Sequence, residues 1–141
     1  MTKDNPDAKF ICSDFVTDDE IYSSHYDYIY SRFTIHAIND NQQEILFKNI
    51  LKSLNTGGKI FIEARTIHDD LYGKGKHIAG NAYIYNNHYR RFIDPERLKS
   101  EMTAAGFEII SFAEQRGFSK TIDSDPVLLR LTAKLKSLSK K

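Results

Sequence analysis

The sequence predicts an α/β fold, and three observations carry that reading. Residues 26–38, YDYIYSRFTIHAI, open on an apolar, aromatic and β-branched run too short for a helix, the pattern of a strand buried on both faces. Residues 54–66, LNTGGKIFIEART, repeat the pattern after a helical segment, so two strands and a crossover helix make a right-handed βαβ unit of a parallel sheet. Residues 107–112 and 126–135 then read as two closing strands, the second alternating at Val127, Leu129, Leu131, Ala133 and Leu135.

Taken in order, residues 1–8 are polar with Pro6 and read as a frayed lead-in. Residues 9–15, KFICSDF, read as a short strand ending on Asp14. In residues 17–24 the acids Asp18, Asp19 and Glu20 suit the first turn of a short helix, where the partial positive charge of the helix start favours them. The first core strand is expected over residues 28–31. Asp40, with Gln43 three residues on, is the expected capping box of a longer helix whose apolar stripe is Ile45, Leu46, Ile50, Leu51 and Leu54. Residues 55–58 should stop it, with glycine available for the left-handed residue past the end.

From residue 67 to 93 the pattern dissolves. Gly73, Gly75 and Gly80 break regularity, while Tyr72, Tyr83, Tyr85, Tyr89, His68, His77 and His88 give a density of amphipathic rings foreign to disordered segments. A structureless stretch of this length reads as a lid over a substrate. The alternative is that the rings pave the outside of the sheet or an interface. Asp94-Pro95-Glu96 is a strong helix start, Leu98, Met102 and Ala105 its buried face, and Gly106 its end. Residues 134–141 form a basic, serine-containing tail.

Composition sets the outer limits. With 141 residues, 40% of them hydrophobic, and a formal charge of +1, the expectation is a single soluble domain over residues 1–141 with flexible ends at 1–8 and 136–141. No charge field selects a nucleic acid or a membrane surface. No signal-type or membrane-length apolar run is present, which points to the cytoplasm. The single cysteine, Cys12, alternates with Phe10 in an apolar run and reads as a buried thiol, and no Cys/His spacing suggests a metal site.

An aspartate, Asp27, opening an apolar strand that ends in Ser31-Arg32-Phe33, a following apolar turn with His36, an amphipathic helix, and then L-N-x-G-G-K before an apolar strand ending on Glu63 together resemble the class I S-adenosylmethionine-dependent methyltransferases. The resemblance covers residues 9–134. The family's glycine-rich loop after a first strand, and the acidic residue ending the second, are absent. The resemblance therefore implies the C-terminal part of a partial Rossmann-like sheet, parallel strands with an antiparallel closing pair. It also implies S-adenosyl-L-methionine as cofactor, bound weakly or not at all by this chain alone. By position it places Asp14 and Phe15 against the adenine, Asp14 otherwise being a turn residue and Phe15 core. Ser31, Arg32 and Phe33 fall near the transferred methyl.

In an open parallel sheet chemistry gathers beyond the carboxyl ends of the strands, here Ser31, Arg32 and His36 after one strand and Glu63, Arg65 and Thr66 after the next. His36 is the candidate base, its alternative being a helix-start histidine bonded to backbone. Arg65, Arg90 and Arg91, with Tyr85 and Tyr89, are the substrate residues, because guanidinium forks suit an anionic acceptor. Surface ion pairs are the plainer reading for any one of them. Two functions follow: methyl transfer to a small acceptor, or an inactive remnant serving as an interaction or dimerisation module. In the fold the chain resembles, with the first two strands absent, the strand at 9–15 has no neighbour in its own chain and the strand at 28–31 loses one partner, so the resemblance implies a homodimer or a separate N-terminal half as partner, or else a displaced N-terminal strand.

Overall fold

A computed structural model describes residues 13–136. In chain order its elements are α1 (Asp19–Ser23), β1 (Tyr26–Arg32), a 3-10 turn (Ile35–Ala37), α2 (Asp40–Ser53), β2 (Leu54–Arg65), β3 (Lys76–Ala79), β4 (Ala82–Tyr85), β5 (His88–Arg91), α3 (Pro95–Ala105), β6 (Phe107–Gln115) and β7 (Leu128–Leu135). A four-stranded sheet runs in the order β1-β2-β7-β6. β1 and β2 are parallel, and β7 is antiparallel to both β2 and β6, so the βαβ unit and the closing pair form as expected. Both closing strands are offset from their predicted bounds, β6 running on to Gln115 and β7 starting at Leu128.

Register decides which side chains share a face. Ile60, Ile62 and Ala64 lie opposite Ala133, Leu131 and Leu129, and this face is covered by Leu46, Phe47 and Ile50 of α2 and Leu98 and Met102 of α3 in one core. Phe107 is fully buried and meets Phe47 edge to face at 5.8 Å, each such side chain contributing about 1.5–3 kcal/mol on burial. The opposite face carries Tyr28, Tyr30 and Arg32 beside Lys59, Phe61 and Glu63, then Lys134, Thr132 and Arg130. Among the described residues no helix covers it. β1 is therefore not buried on both faces: Tyr28 and Tyr30 are 66% and 65% exposed. An alternating strand with one solvated face is read from sequence as a fully buried one when its outer residues are aromatic.

The longer helix starts one residue earlier than predicted. Asn39, not Asp40, is the cap: its side chain accepts from Gln42 N at 2.8 Å while Gln42 Oε1 accepts from Asn39 N at 2.9 Å, leaving Gln43 free to face inward. The buried stripe turns accordingly to Gln43, Leu46, Phe47, Ile50 and Ser53, and Ile45 is exposed. No glycine ends this helix. The chain passes from Ser53 straight into β2, and Gly57, with φ of 80°, sits in the irregular register between β1 and β2. At Gly58 a Cβ would lie 2.8 Å from the Asn55 carbonyl oxygen, so the pair of glycines serves a bulge rather than a helix end. α3 matches its prediction, with Asp94 accepting from Glu96 and Arg97 N, Pro95 in the first turn and Gly106 left-handed at φ 119°, except that Ala105 is exposed.

Residues 67–93 are not a structureless lid. β3, β4 and β5 form a separate three-stranded antiparallel meander. Asn86 and Asn87, at φ 52° and 63°, are both left-handed and make the two-residue turn that matches strand twist. Tyr72 and Tyr83 pack edge to face with each other at 5.6 Å and on Phe92 at 5.5 and 6.3 Å, which answers much of the ring density with internal packing. The meander is tied to the main sheet where Ile93 N donates to Arg65 O and Ile67 N to Ile93 O, both at 3.0 Å.

Of the predicted first strand, residues 9–12 lie outside the described residues, as do Cys12 and both predicted flexible ends apart from Lys136. Residues 13–17 form a turn, not a strand. Among the described residues no helix is long and apolar enough to cross a membrane.

Candidate active site

The carboxyl end of β1 is bent sharply. Phe33 follows the strand with φ of 59°, a left-handed conformation uncommon for a bulky residue and costing on the order of 1–3 kcal/mol. It is held there because Phe33 N donates to Glu63 O at 2.8 Å, continuing the parallel ladder, while Ala37 N closes the 3-10 turn onto Thr34 O at 3.0 Å. The reversal sets the Phe33 ring 5.8 Å from that of His36. The resemblance placed Phe33 near the transferred methyl, but nothing in the sequence marks this strain.

Around this bend the predicted residues divide by what they already hold. Ser31 is buried and its hydroxyl meets that of Thr34. Glu63 is 1% exposed and clamped between Arg32 Nε at 2.7 Å and Arg130 Nε at 2.6 Å. Arg32 further donates to Ser119 Oγ at 3.1 Å and lies over Phe33, and Arg130 lies over Phe118 at 4.2 Å. A carboxylate this deeply buried persists only because both oxygens take charged donors. Arg130 was not anticipated; its place opposite Glu63 follows from antiparallel register that sequence does not give. Thr66 is buried, and its hydroxyl accepts from His68 N at 3.1 Å.

Asp14 caps its own turn, Oδ1 accepting from Val16 N at 2.9 Å, which with further bonds from Thr17 holds its carboxyl below the ordinary range. Phe15 packs on the core edge. Both thus fill the turn-and-core roles.

His36, Arg65 and Arg90 form the electrostatic centre. Burial, then the positive charges of Arg65, Arg90 and Arg91, push the His36 pKa down to about 4, so the imidazole is neutral near pH 7. Its Nδ1 is buried without a partner among the described residues, and so is Arg65 Nε. Arg65 Nη1 donates to the buried Asp69 at 2.9 Å, which also takes Val127 N at 2.8 Å. Burial and Arg65 lower the Arg90 pKa, and Arg90 makes no hydrogen bond or ion pair among the described residues. Arg91 does the opposite of what its sequence position implies. It is 8% exposed and donates to Ile35 O, Ile38 O, Gln43 Oε1 and Asp40 Oδ1, so its fork is spent on the fold and not on a ligand. Beside Arg65 and Arg90 lies an open cleft of about 480 Å³, lined also by Tyr85, His88 and the carboxylates of Asp69, Asp70, Asp123 and Asp125. Tyr89 is half-buried and does not line this cleft.

Because the folded pKa of His36 is below its ordinary 6.5, protonation favours the unfolded chain. Its contribution to stability is intact above about pH 6.5 and is lost as pH falls through 4. An NMR titration of the His36 ring is expected to show a midpoint near 4. A midpoint at 6 or above would mean the ring is solvated.

A family model described as a methyltransferase domain matches residues 3–112. The chain belongs to the methyltransferase domain family. Among solved structures, this methyltransferase domain is similar to an S-adenosylmethionine-dependent methyltransferase from Clostridium acetobutylicum, with a TM-score of 0.66 at 11% identity over 90% of this chain and 64% of that one. It is similar also to a SAM-dependent methyltransferase from Methanosarcina mazei, with a TM-score of 0.72 at 14% identity over 89% and 66%. A third is the glycopeptide N-methyltransferase MtfA complexed with S-adenosyl-L-methionine, with a TM-score of 0.58 at 14% identity over 81% and 55%. The domain thus spans less than two thirds of the length of these proteins. No curated protein matches it. These likenesses establish the class I methyltransferase fold, and the sheet order agrees with the parallel-plus-antiparallel sheet expected.

Whether the described residues suit a sulfonium cofactor is a matter of what they leave unspent. The Ser31 hydroxyl and Arg32 Nε and Nη2 are engaged. The Asp14 carboxylate, the Phe15 ring and the backbone at residues 32–33 are what the resemblance leaves for it.

Proposed function

We propose that this chain supplies the acceptor side of an S-adenosylmethionine-dependent methyltransferase that acts on a small anionic acceptor. The observation that carries the reading is the meeting of Arg65 and Arg90, which has no partner among the described residues, around a neutral, half-buried His36 at the carboxyl edge of β1 and β2. When bound, the cofactor supplies an electrophilic methyl group. The residues of this chain do the rest: Arg90 and Arg65 hold the acceptor's anionic group, and the Phe33 bend with the meander shields the edge from water. His36 is unprotonated at neutral pH and is the proposed base, acting as a hydrogen-bond acceptor toward the acceptor's hydroxyl or amine, its lowered pKa making it a weak proton acceptor. Arg91 positions this group by fixing β5 against α2.

The absence of a glycine-rich loop from residues 1–141 sets the affinity of this chain alone. A carboxylate, one ring and a stretch of backbone offer roughly two hydrogen bonds of ~0.5–1.5 kcal/mol each, against ~4 kcal/mol or more for lost rigid-body freedom, so binding no tighter than about millimolar is expected. Titration with S-adenosylhomocysteine, followed by amide shifts, should move Asp14, Phe15 and Phe33 at millimolar ligand. No shift at those residues would overturn their placement, and a micromolar constant would show a cofactor site elsewhere.

The second reading, an interaction module, is favoured by one observation: the exposed Tyr28 and Tyr30 on a strand that has β2 as its single neighbour among the described residues.

A further inference from the structure

We infer that Phe33 is a positioning residue for His36, its ring holding the imidazole in the single orientation that serves the acceptor; the inference rests on the reading of His36 as the proposed base. A histidine that acts on a substrate through one ring nitrogen is ordinarily aimed by a hydrogen bond on the other. His36 has none on Nδ1, which is buried without a partner among the described residues. The backbone around it is well held, since Ala37 N closes onto Thr34 O at 3.0 Å and Arg91 donates to both Ile35 O and Ile38 O. Those bonds place the main chain of the turn and leave the side-chain torsions of His36 undetermined. What meets the imidazole is the Phe33 ring, 5.8 Å away between centroids and tilted by 35°.

Phe33 is itself fixed from two sides. Glu63 O captures its N–H at 2.8 Å, and its ring lies 5.0 Å from the Arg32 guanidinium carbon, while Arg32 Nε is anchored on the buried Glu63 carboxylate at 2.7 Å. At a φ of 59° glycine would sit without strain, so the phenyl ring is kept at a cost, and its contact with His36 is what glycine would lack. The charges near His36 do not aim it. Arg65 from β2 and Arg90 and Arg91 from β5 are donors only, and all three oppose a protonated ring. An imidazole released by Phe33 is therefore free to turn toward water.

Three variants of the full chain test this. Phe33→Gly removes the ring and suits the left-handed backbone, Phe33→Ala removes the ring and keeps the strain, and Phe33→Tyr keeps the ring. The His36 titration midpoint, followed by NMR, is expected to rise from about 4 by roughly one unit or more in both the glycine and the alanine variant and to stay in place in the tyrosine variant, with circular dichroism unchanged. Relaxation of the His36 ring carbons should show one orientation in wild type and exchange between orientations once the ring is gone. Were Phe33→Ala to unfold, Phe33→Gly and Phe33→Tyr decide together. An unmoved midpoint or a single imidazole orientation in Phe33→Gly overturns the inference, as does a rise in Phe33→Gly that a folded Phe33→Ala lacks, which would assign the effect to the backbone. The acceptor reading fails by a different result, the absence of phosphate binding at Arg90, which these titrations do not measure.

Discussion

Replacing Arg91 by alanine is expected to destabilise the domain by about 3–5 kcal/mol, because three buried acceptors lose their donor at once and an unsatisfied buried polar group costs about 1–3 kcal/mol. Those acceptors are Ile35 O, Ile38 O and Gln43 Oε1, drawn from the 3-10 turn, the helix entry and the first turn of α2. Asp40, half exposed, adds little since water replaces its partner. Arg91→Lys should recover less than half of the loss, as a single ammonium cannot span acceptors that a planar fork reaches together. Urea unfolding provides the measurement, with a lower midpoint at constant slope. A loss below about 1 kcal/mol would mean that water fills the site and that Arg91 is not the clasp between the meander and α2.

Arg90 is expected to act on ligand and not on stability. It is the one arginine of the three near His36 with no partner among the described residues, so Arg90→Ala removes no internal bond. If an anion sits between Arg90 and Arg65, losing one charge-assisted contact should weaken it by about 1.5–3 kcal/mol, or roughly 10–150-fold. Inorganic phosphate serves as the probe, titrated while the Arg65 Nε resonance is followed. Wild type should shift at millimolar phosphate, and Arg90→Ala should require at least tenfold more with the urea midpoint unchanged. Phosphate binding that survives the substitution would remove Arg90 from the site. A fall in stability equal to that of Arg91→Ala would reassign it to the fold.

Together the two variants separate roles that the sequence presents as one. Arg90 and Arg91 are neighbours in a strand, and alternation sends them to opposite faces of the meander, one toward the cleft and one into the junction with α2. A tract of adjacent arginines cannot show which is which until the strand and its partner are known.

What the amino-acid sequence determined by itself is the local and periodic part of this protein. The βαβ unit, the closing pair, the Asp94-Pro95 helix start and the Gly106 end were all legible, because capping, turn chemistry and hydrophobic period act between residues a few positions apart. So was the gathering of His36, Arg65 and Arg90 near the carboxyl edge of β1 and β2. The meander was legible in principle from Asn86-Asn87 between aromatic runs, a signal obscured by the glycines before it. Tertiary structure alone decided the rest. The Phe33 bend exists because the Glu63 carbonyl across the sheet captures its N–H. Glu63 is held by Arg32 and Arg130, residues 31 and 67 positions away in sequence. The solvated Tyr28 and Tyr30 reflect which layers cover the sheet. Each of these depends on register and packing between distant segments, where a shift of one residue turns every side chain of a strand to the other face, and no local pattern encodes that choice.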